Sequence, residues 1–415
     1  MRKSILFLSA IDFKEKSIQV IKKTPEAYAE SGWDVYYIVA RDNSKYGNYF
    51  YEKVINPHGV KVIRFEWPFS YLRNKISNKK VRTIISKIAG YFVILKLAYL
   101  AFKLLRKEKI DVIYAYETHG VLAAAILKIL GIAKQQKIVH RFQGTWINYY
   151  LKKRKFLKLI FNWEHILALW LKSDLCIMTD DGTQGKEVME KIKSRSLQNL
   201  KFWPNGVDEI KLPKEEILKL RKKYGVEGKW VFLTTCRLVS WKRVDRALKV
   251  ISLLKRKYKI DNFFYFIIGD GPERHKLQRL VKDLHIQDKV VFAGALPHSR
   301  VKEYLNIADF IILTYDLSNV GNPLLEAIRA NKIIFTLNNG DTSEWIKHKF
   351  NGFIYNIDET MYEKMAKDIV ELIRNSKLRK KIILNIKKTE REKLWTWQER
   401  LRKEVEEVYN LIRSK

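Results

Sequence analysis

The sequence predicts an α/β protein of two doubly wound, Rossmann-like domains, each a parallel sheet with helices on both faces. Three observations carry that prediction. Short apolar runs alternate with amphipathic stretches almost from end to end, the pattern of repeated βαβ units. The 415 residues exceed the roughly 250 to 300 that one hydrophobic core organises. The alternation pauses once, at Lys201-Phe-Trp-Pro-Asn-Gly-Val-Asp208, where Pro204 and Asn205-Gly206 mark turns, and then restarts.

In the first half, strands are predicted at residues 4–9, 35–40, 60–65, 110–115, 137–142 and 175–179. In the second half they fall at 230–235, 263–268, 289–292, 310–314 and 332–336. These runs are continuously apolar rather than alternating, as strands buried on both faces must be. Between them, Val244, Ala247, Leu248, Ile251 and Leu254 recur at helical spacing and mark a helix that packs on the core. After Asn351-Gly352 the chain reads as mostly helical and ends in a stripe of Trp395, Trp397, Leu401, Val405, Val408 and Leu411. The domains are set at 1–207 and 208–390, with 391–415 a terminal helix expected to return to the first domain.

Composition narrows the class. With 47% hydrophobic and 13% aromatic residues, both domains can bury a core, which excludes disordered and fibrous classes. Cys176 and Cys236 lie in apolar runs, so neither a disulfide framework nor a zinc site is expected. Residues 4–9 read as a first strand rather than a leader, since Asp12 follows directly. Eighty Lys and Arg against 45 Asp and Glu leave a formal charge of +35. Two basic, apolar segments in the first domain give that excess a direction. Residues 88–105 are flanked by Lys75, Lys79, Lys80, Arg82 and Lys87 on one side and by Lys103, Arg106 and Lys107 on the other. Tyr149-Tyr-Leu-Lys-Lys-Arg-Lys-Phe156 leads into the apolar stretch 157–171. Lys96 and Lys103 interrupt the first segment, so it reads as a helix packed on the core, lying on an anionic membrane surface, or both, rather than a span. A nucleic-acid partner is not expected.

In an open parallel sheet, ligands bind outside the carboxyl ends of the strands. After 230–235 comes Arg237-Leu-Val-Ser-Trp-Lys242, a guanidinium and an ammonium on one loop, suited to a diphosphate. After 310–314 comes Ser318-Asn-Val-Gly-Asn-Pro-Leu-Leu-Glu326, in which Gly321 and Pro323 open a helix whose free N–H groups suit a phosphate or a sugar hydroxyl. Glu326, in the first helical turns, is placed to accept hydrogen bonds from a ribose. Gly269-Asp-Gly-Pro272 is a turn into a helix. In the first domain, Asp12 and Glu117 follow strands and are candidates for orienting an acceptor hydroxyl.

In this order and spacing, these motifs resemble the retaining glycosyltransferases of the GT-B fold, family 4, known as the glycosyltransferase group 1 domain. Val291-Phe-Ala-Gly294, Ala308-Asp309, Asn351-Gly-Phe353, Asn205-Gly-Val-Asp208 and Trp397 extend the likeness over nearly the whole chain. The resemblance implies two domains facing a cleft, a nucleotide-diphosphate sugar on the second and an acceptor on the first. It implies that Arg237 and Lys242 neutralise the diphosphate, that no metal or other cofactor is needed, and that Glu326 holds the ribose. It further implies donor contacts from Phe292 and Gly294 to the base and from Ser318, Val320, Gly321, Asn322, Pro323 and Leu324 to the sugar or phosphates. The function that follows is transfer of a hexose-like sugar, from a UDP-sugar before a GDP-sugar, to a lipid-linked or saccharide acceptor in cell-envelope glycan synthesis, at the cytoplasmic face of the membrane.

Two positions depart from the family pattern. Ser318 stands where a Glu usually contacts the transferred sugar, and Arg141-Phe-Gln143-Gly144 carries Gln143 where many members have a His. Gln143 and Gly144 are kept as acceptor-binding candidates, since an amide still donates hydrogen bonds although it cannot move a proton. The alternative function is a degenerate homologue that binds nucleotide sugar or glycolipid without turnover.

Overall fold

The protein is described by a computed structural model covering residues 2–14, 19–47, 49 and 52–413. It divides into two compact units. Unit 1 takes the described residues up to Thr179, Gly185–Trp203 and those from Gln398 onward, and unit 2 takes Asp180–Gln184 and Pro204–Trp397.

Unit 1 is built on seven parallel strands: β1 (Ser4–Ser9), β2 (Asp34–Arg41), β3 (Val60–Glu66), β4 (Val112–Tyr116), β5 (Lys137–Phe142), β6 (Leu175–Thr179) and β7 (Leu200–Trp203). Their order is β3-β2-β1-β4-β5-β6-β7. All six residues of β1 are buried, which is why its sequence is an unbroken apolar run between two serines. The terminal helix Trp397–Arg413 sets Val408 into the core beside Ile5, Phe7, Tyr28 and Tyr37. It also buries the Arg400–Glu404 ion pair (2.7 Å), with Tyr114 Oη donating to Glu404 Oε1 at 2.5 Å.

The helix Lys79–Leu105 begins at Asn78, whose side chain accepts from the amides of Lys80 and Val81. Ala89, Val93, Leu97 and Ala101 face inward toward β1, β2 and the helix Glu117–Ile129. Ile84, Ile88, Phe92, Leu95 and Tyr99 are exposed on another face. Among the described residues this is the one helix long and apolar enough to cross a membrane, yet its inward face is part of a globular core.

Unit 2 has six parallel strands: β8 (Trp230–Thr235), β9 (Phe263–Ile268), β10 (Val290–Gly294), β11 (Phe310–Leu313), β12 (Ile333–Leu337) and β13 (Phe353–Tyr355). Their order, β10-β9-β8-β11-β12-β13, repeats the pattern of unit 1. On the helix Val244–Arg256, all five of the predicted core residues are buried.

The structure corrects the sequence-based outline in four places. β7 and β13 are strands where none is predicted. β4 starts at Val112, and Asp111 just before it bonds Ser4 through both its amide, to the Ser4 carbonyl (3.1 Å), and its Oδ2, which accepts the Ser4 amide (2.9 Å). The first domain ends at Trp203 rather than 207, since Pro204 has no N–H with which to continue a ladder. Asp180–Gln184 joins unit 2 because its backbone is bonded there: Ser318 Oγ donates to the Asp181 carbonyl (3.0 Å) and the Asp341 amide to that of Gly182 (3.3 Å).

Candidate functional site

The loop after β8 is held in shape by the loop after β9. The amides of Cys236 and Leu238 donate to the carbonyls of Ile268 and Asp270 (2.9 and 3.0 Å), and the Glu273 amide returns to Leu238. That contact is close enough to dictate glycine on the β9 side. Gly269 and Gly271 both lie at positive φ, and a Cβ on either would overlap a carbonyl of the β8 loop, Cys236 or Leu238. The Gly-Asp-Gly-Pro turn is therefore a mould for the loop that carries Arg237 and Lys242.

Arg237 is exposed and pairs with no carboxylate among the described residues. Lys242 closes the short 3-10 turn Ser240–Lys242, its Nζ 3.5 Å from the Tyr315 ring centroid and 4.1 Å from that of Trp241. Burial lowers its pKa to about 8, against the upward pull of Cys236 and Asp181. Its neighbour Arg243 is fully engaged, paired with Asp245 (2.9 Å) and Asp316 (3.5 Å), which fixes the turn without using Lys242. Asp181 is pushed up to about 7, chiefly by burial. The site is thus poor in free negative charge.

The loop after β11 runs to the helix Asn322–Arg329. Gly321 is extended (φ 172°), and an added Cβ would meet only Pro323 Cδ at 4.0 Å. Neither backbone angle nor packing within the protein calls for glycine there. Glu326 is buried, and its Oε1 lies 3.0 Å from Nε2 of His298, the first residue of the helix after β10. Sequence reading missed His298, which lies 28 positions from its partner and whose sequence carries no motif. The fixed carboxylate and the two cations stand at carboxyl ends of strands of one sheet.

Other predicted donor residues are placed differently. Ser318 is buried, with Oγ donating to the Asp181 carbonyl (3.0 Å) and accepting from the Val320 amide (3.1 Å), so its hydroxyl is engaged within unit 2. Val320 and Leu324 are core residues, leaving only their backbone for a ligand. Asn322 Oδ1 accepts from Asn205 Nδ2 (3.1 Å), which ties the Asn-Gly-Val-Asp motif to the start of this helix. Phe292 packs partly into the core, and Gly294, at φ 73°, follows a register shift in β10 and accepts from the Gly269 amide at 2.8 Å.

In unit 1 the structure brings Glu117, Gln143 and Gly144 together at the ends of the adjacent strands β4 and β5. Glu117 sits at φ 56°, a sharp strand-to-helix turn, and its Oε1 accepts the Gln143 amide (2.7 Å), while Gln143 Nε2 donates to Tyr116 Oη. Asp12 does not join them. It is buried, with Arg41 at 2.7 Å and Arg64 at 2.9 Å, and it also accepts the Phe13 amide. Two guanidinium groups saturate that carboxylate, so its assignment as an acceptor ligand is corrected to a structural ion cluster.

Comparison with known proteins places this geometry. Residues 216–389, inside unit 2, match the family described as glycosyl transferases group 1. The chain is similar to the N-acetyl-alpha-D-glucosaminyl L-malate synthase of Bacillus anthracis, at 24% identity over 84% of this chain and 82% of that protein. It is also similar to the GDP-mannose-dependent alpha-(1-6)-phosphatidylinositol monomannoside mannosyltransferase of Mycobacterium tuberculosis, at 24% identity over 42% of this chain and 47% of that one. Among solved structures, Anabaena HepE in complex with UDP superposes with a TM-score of 0.70 at 15% identity, covering 99% and 100% of the two chains. The fold of two parallel-sheet, Rossmann-like units is that of GT-B glycosyltransferases.

Proposed function

We propose that this protein is a retaining glycosyltransferase that takes a sugar from a nucleotide-diphosphate donor held by unit 2 and transfers it to an acceptor recognised by unit 1. The observation that carries the reading is that Arg237, without a carboxylate partner among the described residues, desolvated Lys242 and the His298-braced Glu326 all follow the carboxyl ends of adjacent strands of one parallel sheet. Arg237 and Lys242 face the diphosphate, where negative charge grows as the sugar departs, and preorganised cations act most strongly at that charge. They take the place of a divalent cation. Glu326 accepts from the ribose hydroxyls, and His298 holds one of its oxygens so that the other is aimed. The extended backbone at Gly321 and the first amides of the following helix meet the sugar or the phosphates.

In the transfer step the bond from the anomeric carbon to the diphosphate oxygen breaks, and the acceptor oxygen bonds to the same face of that carbon. The acceptor proton passes to the departing phosphate oxygen, so no protein nucleophile is required and configuration is retained. UDP is the favoured nucleotide. Anabaena HepE binds UDP, whereas the mannosyltransferase of Mycobacterium tuberculosis is GDP-dependent.

The acceptor is lipid-linked and the protein works on the cytoplasmic face of a membrane. Support comes from unit 1, where exposed Ile88, Phe92, Leu95 and Tyr99 lie on a helix flanked by lysines and arginines, and Phe156, Leu157 and Ile160 extend from the basic run 152–155. The test is donor hydrolysis and sugar transfer with EDTA present, in wild type, Arg237→Ala and Glu326→Ala. Activity that both substitutions remove supports transfer. Binding of nucleotide sugar without turnover under any acceptor supports the degenerate homologue, for which the internal bonding of Ser318 is the favouring observation.

A further inference from the structure

Unit 1 contains a cavity of about 580 Å³ that the donor site does not use. It lies at the carboxyl ends of β2, β3 and β4, where Asp42, Trp67 and His119 follow their strands, and beneath the N-terminal half of the helix Lys79–Leu105. The segment 161–164 closes another side.

Its charge is unbalanced. Two carboxylates line it, and both are neutralised in place: Asp42 by a bidentate bond from Arg73 (2.9 and 2.7 Å), and Glu164 by Lys87 (3.0 Å). Lys79 and Arg82 remain without a carboxylate partner among the described residues. Arg82 stacks 3.6 Å from the Tyr46 ring centroid and bonds only backbone carbonyls. His119 is held near pKa 4 by burial, so it stays neutral and adds no charge.

Beside the neutral polar groups of Thr83, Ser86 and Asn162, the lining has an apolar part made by Tyr91, Ile94, Phe161 and the ring of Trp67. Donors and surplus positive charge beside hydrocarbon walls match an amphiphile with a phosphate head. The volume exceeds a lone phosphate and fits a cavity for a head group and the first part of a chain. The surrounding surface agrees, because Lys87 lies 4.0 Å from the Phe161 ring and Phe69 packs on Phe92, which joins the cavity rim to the exposed apolar helix face.

We propose that this cavity binds the phosphate or diphosphate group of a lipid-chain phosphate, with Lys79 and Arg82 as the donors to its oxygens. The proposal rests on the reading of unit 1 as the acceptor unit and identifies where the charged head of that acceptor is held, separate from the Glu117 and Gln143 pair.

The test is calorimetric titration with farnesyl diphosphate, inorganic pyrophosphate and farnesol, all in an Arg237→Ala background so that the donor site contributes nothing. Farnesyl diphosphate is expected to bind saturably. Lys79→Ala with Arg82→Ala should weaken it by about a hundredfold, roughly tenfold for each charge-assisted contact. Pyrophosphate with the same dependence on Lys79 and Arg82 identifies the head group as the recognised part even without a chain. Farnesol binding as tightly as the diphosphate, or affinity for the diphosphate unchanged in the double variant, overturns the proposal. Circular dichroism of the variants separates lost binding from lost fold. Because every arm lacks Arg237, failure here leaves the donor site standing, and failure of sugar transfer leaves this binding result intact.

Discussion

The two units share a strand order and differ in what the loop after their first strand does with charge. In unit 1 that loop buries Asp12 between Arg41 and Arg64, so this carboxylate is answered inside the fold. In unit 2 the same position presents Arg237 with no carboxylate partner among the described residues and Lys242 largely desolvated. Surfaces diverge as well. Of the 28 large hydrophobic residues exposed among the described residues, 22 belong to unit 1 and six to unit 2. One topology therefore carries two surfaces, an apolar and basic one in unit 1 and, in unit 2, a loop whose cations are left without carboxylate partners among the described residues.

The sharpest way to break this comparison is to exchange the expected phenotypes. Asp12→Ala strands two guanidinium groups in unit 1 and should cost about 3 to 5 kcal/mol of stability in denaturant unfolding. Unchanged stability would show that the cluster is not structural. Arg237→Ala should leave unfolding within about 0.5 kcal/mol of wild type. It should lower sugar transfer by about 10² to 10³-fold in steady-state kinetics.

Ser318→Glu addresses the departure from the family pattern. The new carboxylate would enter a buried position already bonded to Asp181 and packed against Gly182, beside Asp180, whose own pKa burial raises. A loss of about 1 to 3 kcal/mol is expected in thermal unfolding, from burying a polar group without partners. An unchanged melting temperature would mean that the loop opens to admit it.

Lys242 gives the comparison a pH signature. Burial sets its pKa near 8 in the free protein, and a bound diphosphate raises it, so affinity is full below pH 8 and falls as pH rises through that value. The expected slope is about tenfold per pH unit until the bound-state pKa is reached. Lys242→Arg should flatten the profile, and a flat wild-type profile would remove Lys242 from the site. The smallest effect belongs to unit 1: Lys96→Ala and Lys103→Ala should each weaken co-sedimentation with anionic vesicles by about 1 kcal/mol, roughly fivefold. Equal binding to neutral vesicles would sever the basic flanks from membrane attachment.

How much of this was legible in the sequence follows from range. The central strands were readable because double-sided burial writes a continuous apolar run, as in residues 4–9 and 230–235. β7 and β13 lie at sheet edges, with four and three residues, and leave too short a record; β7 is half-buried throughout and ends at a proline. Arg237, Lys242 and Glu326 could be named as candidates because the carboxyl end of a strand is a position that sequence can mark. The ion cluster of Asp12 and the pairing of His298 with Glu326 join residues up to 52 positions apart, and no local pattern records such contacts. The allegiance of Asp180–Gln184 to unit 2 was hidden for the same reason, since it is decided by bonds to Ser318 and Asp341.

The central claim is that unit 2 holds a nucleoside diphosphate through Arg237 and without a metal ion. Calorimetric titration of wild type and Arg237→Ala with UDP, GDP and ADP, each in EDTA, tests it directly. The account predicts saturable binding of one nucleotide, UDP, to wild type and its loss in Arg237→Ala. Binding that requires added divalent cation, or that survives Arg237→Ala unchanged, would contradict it.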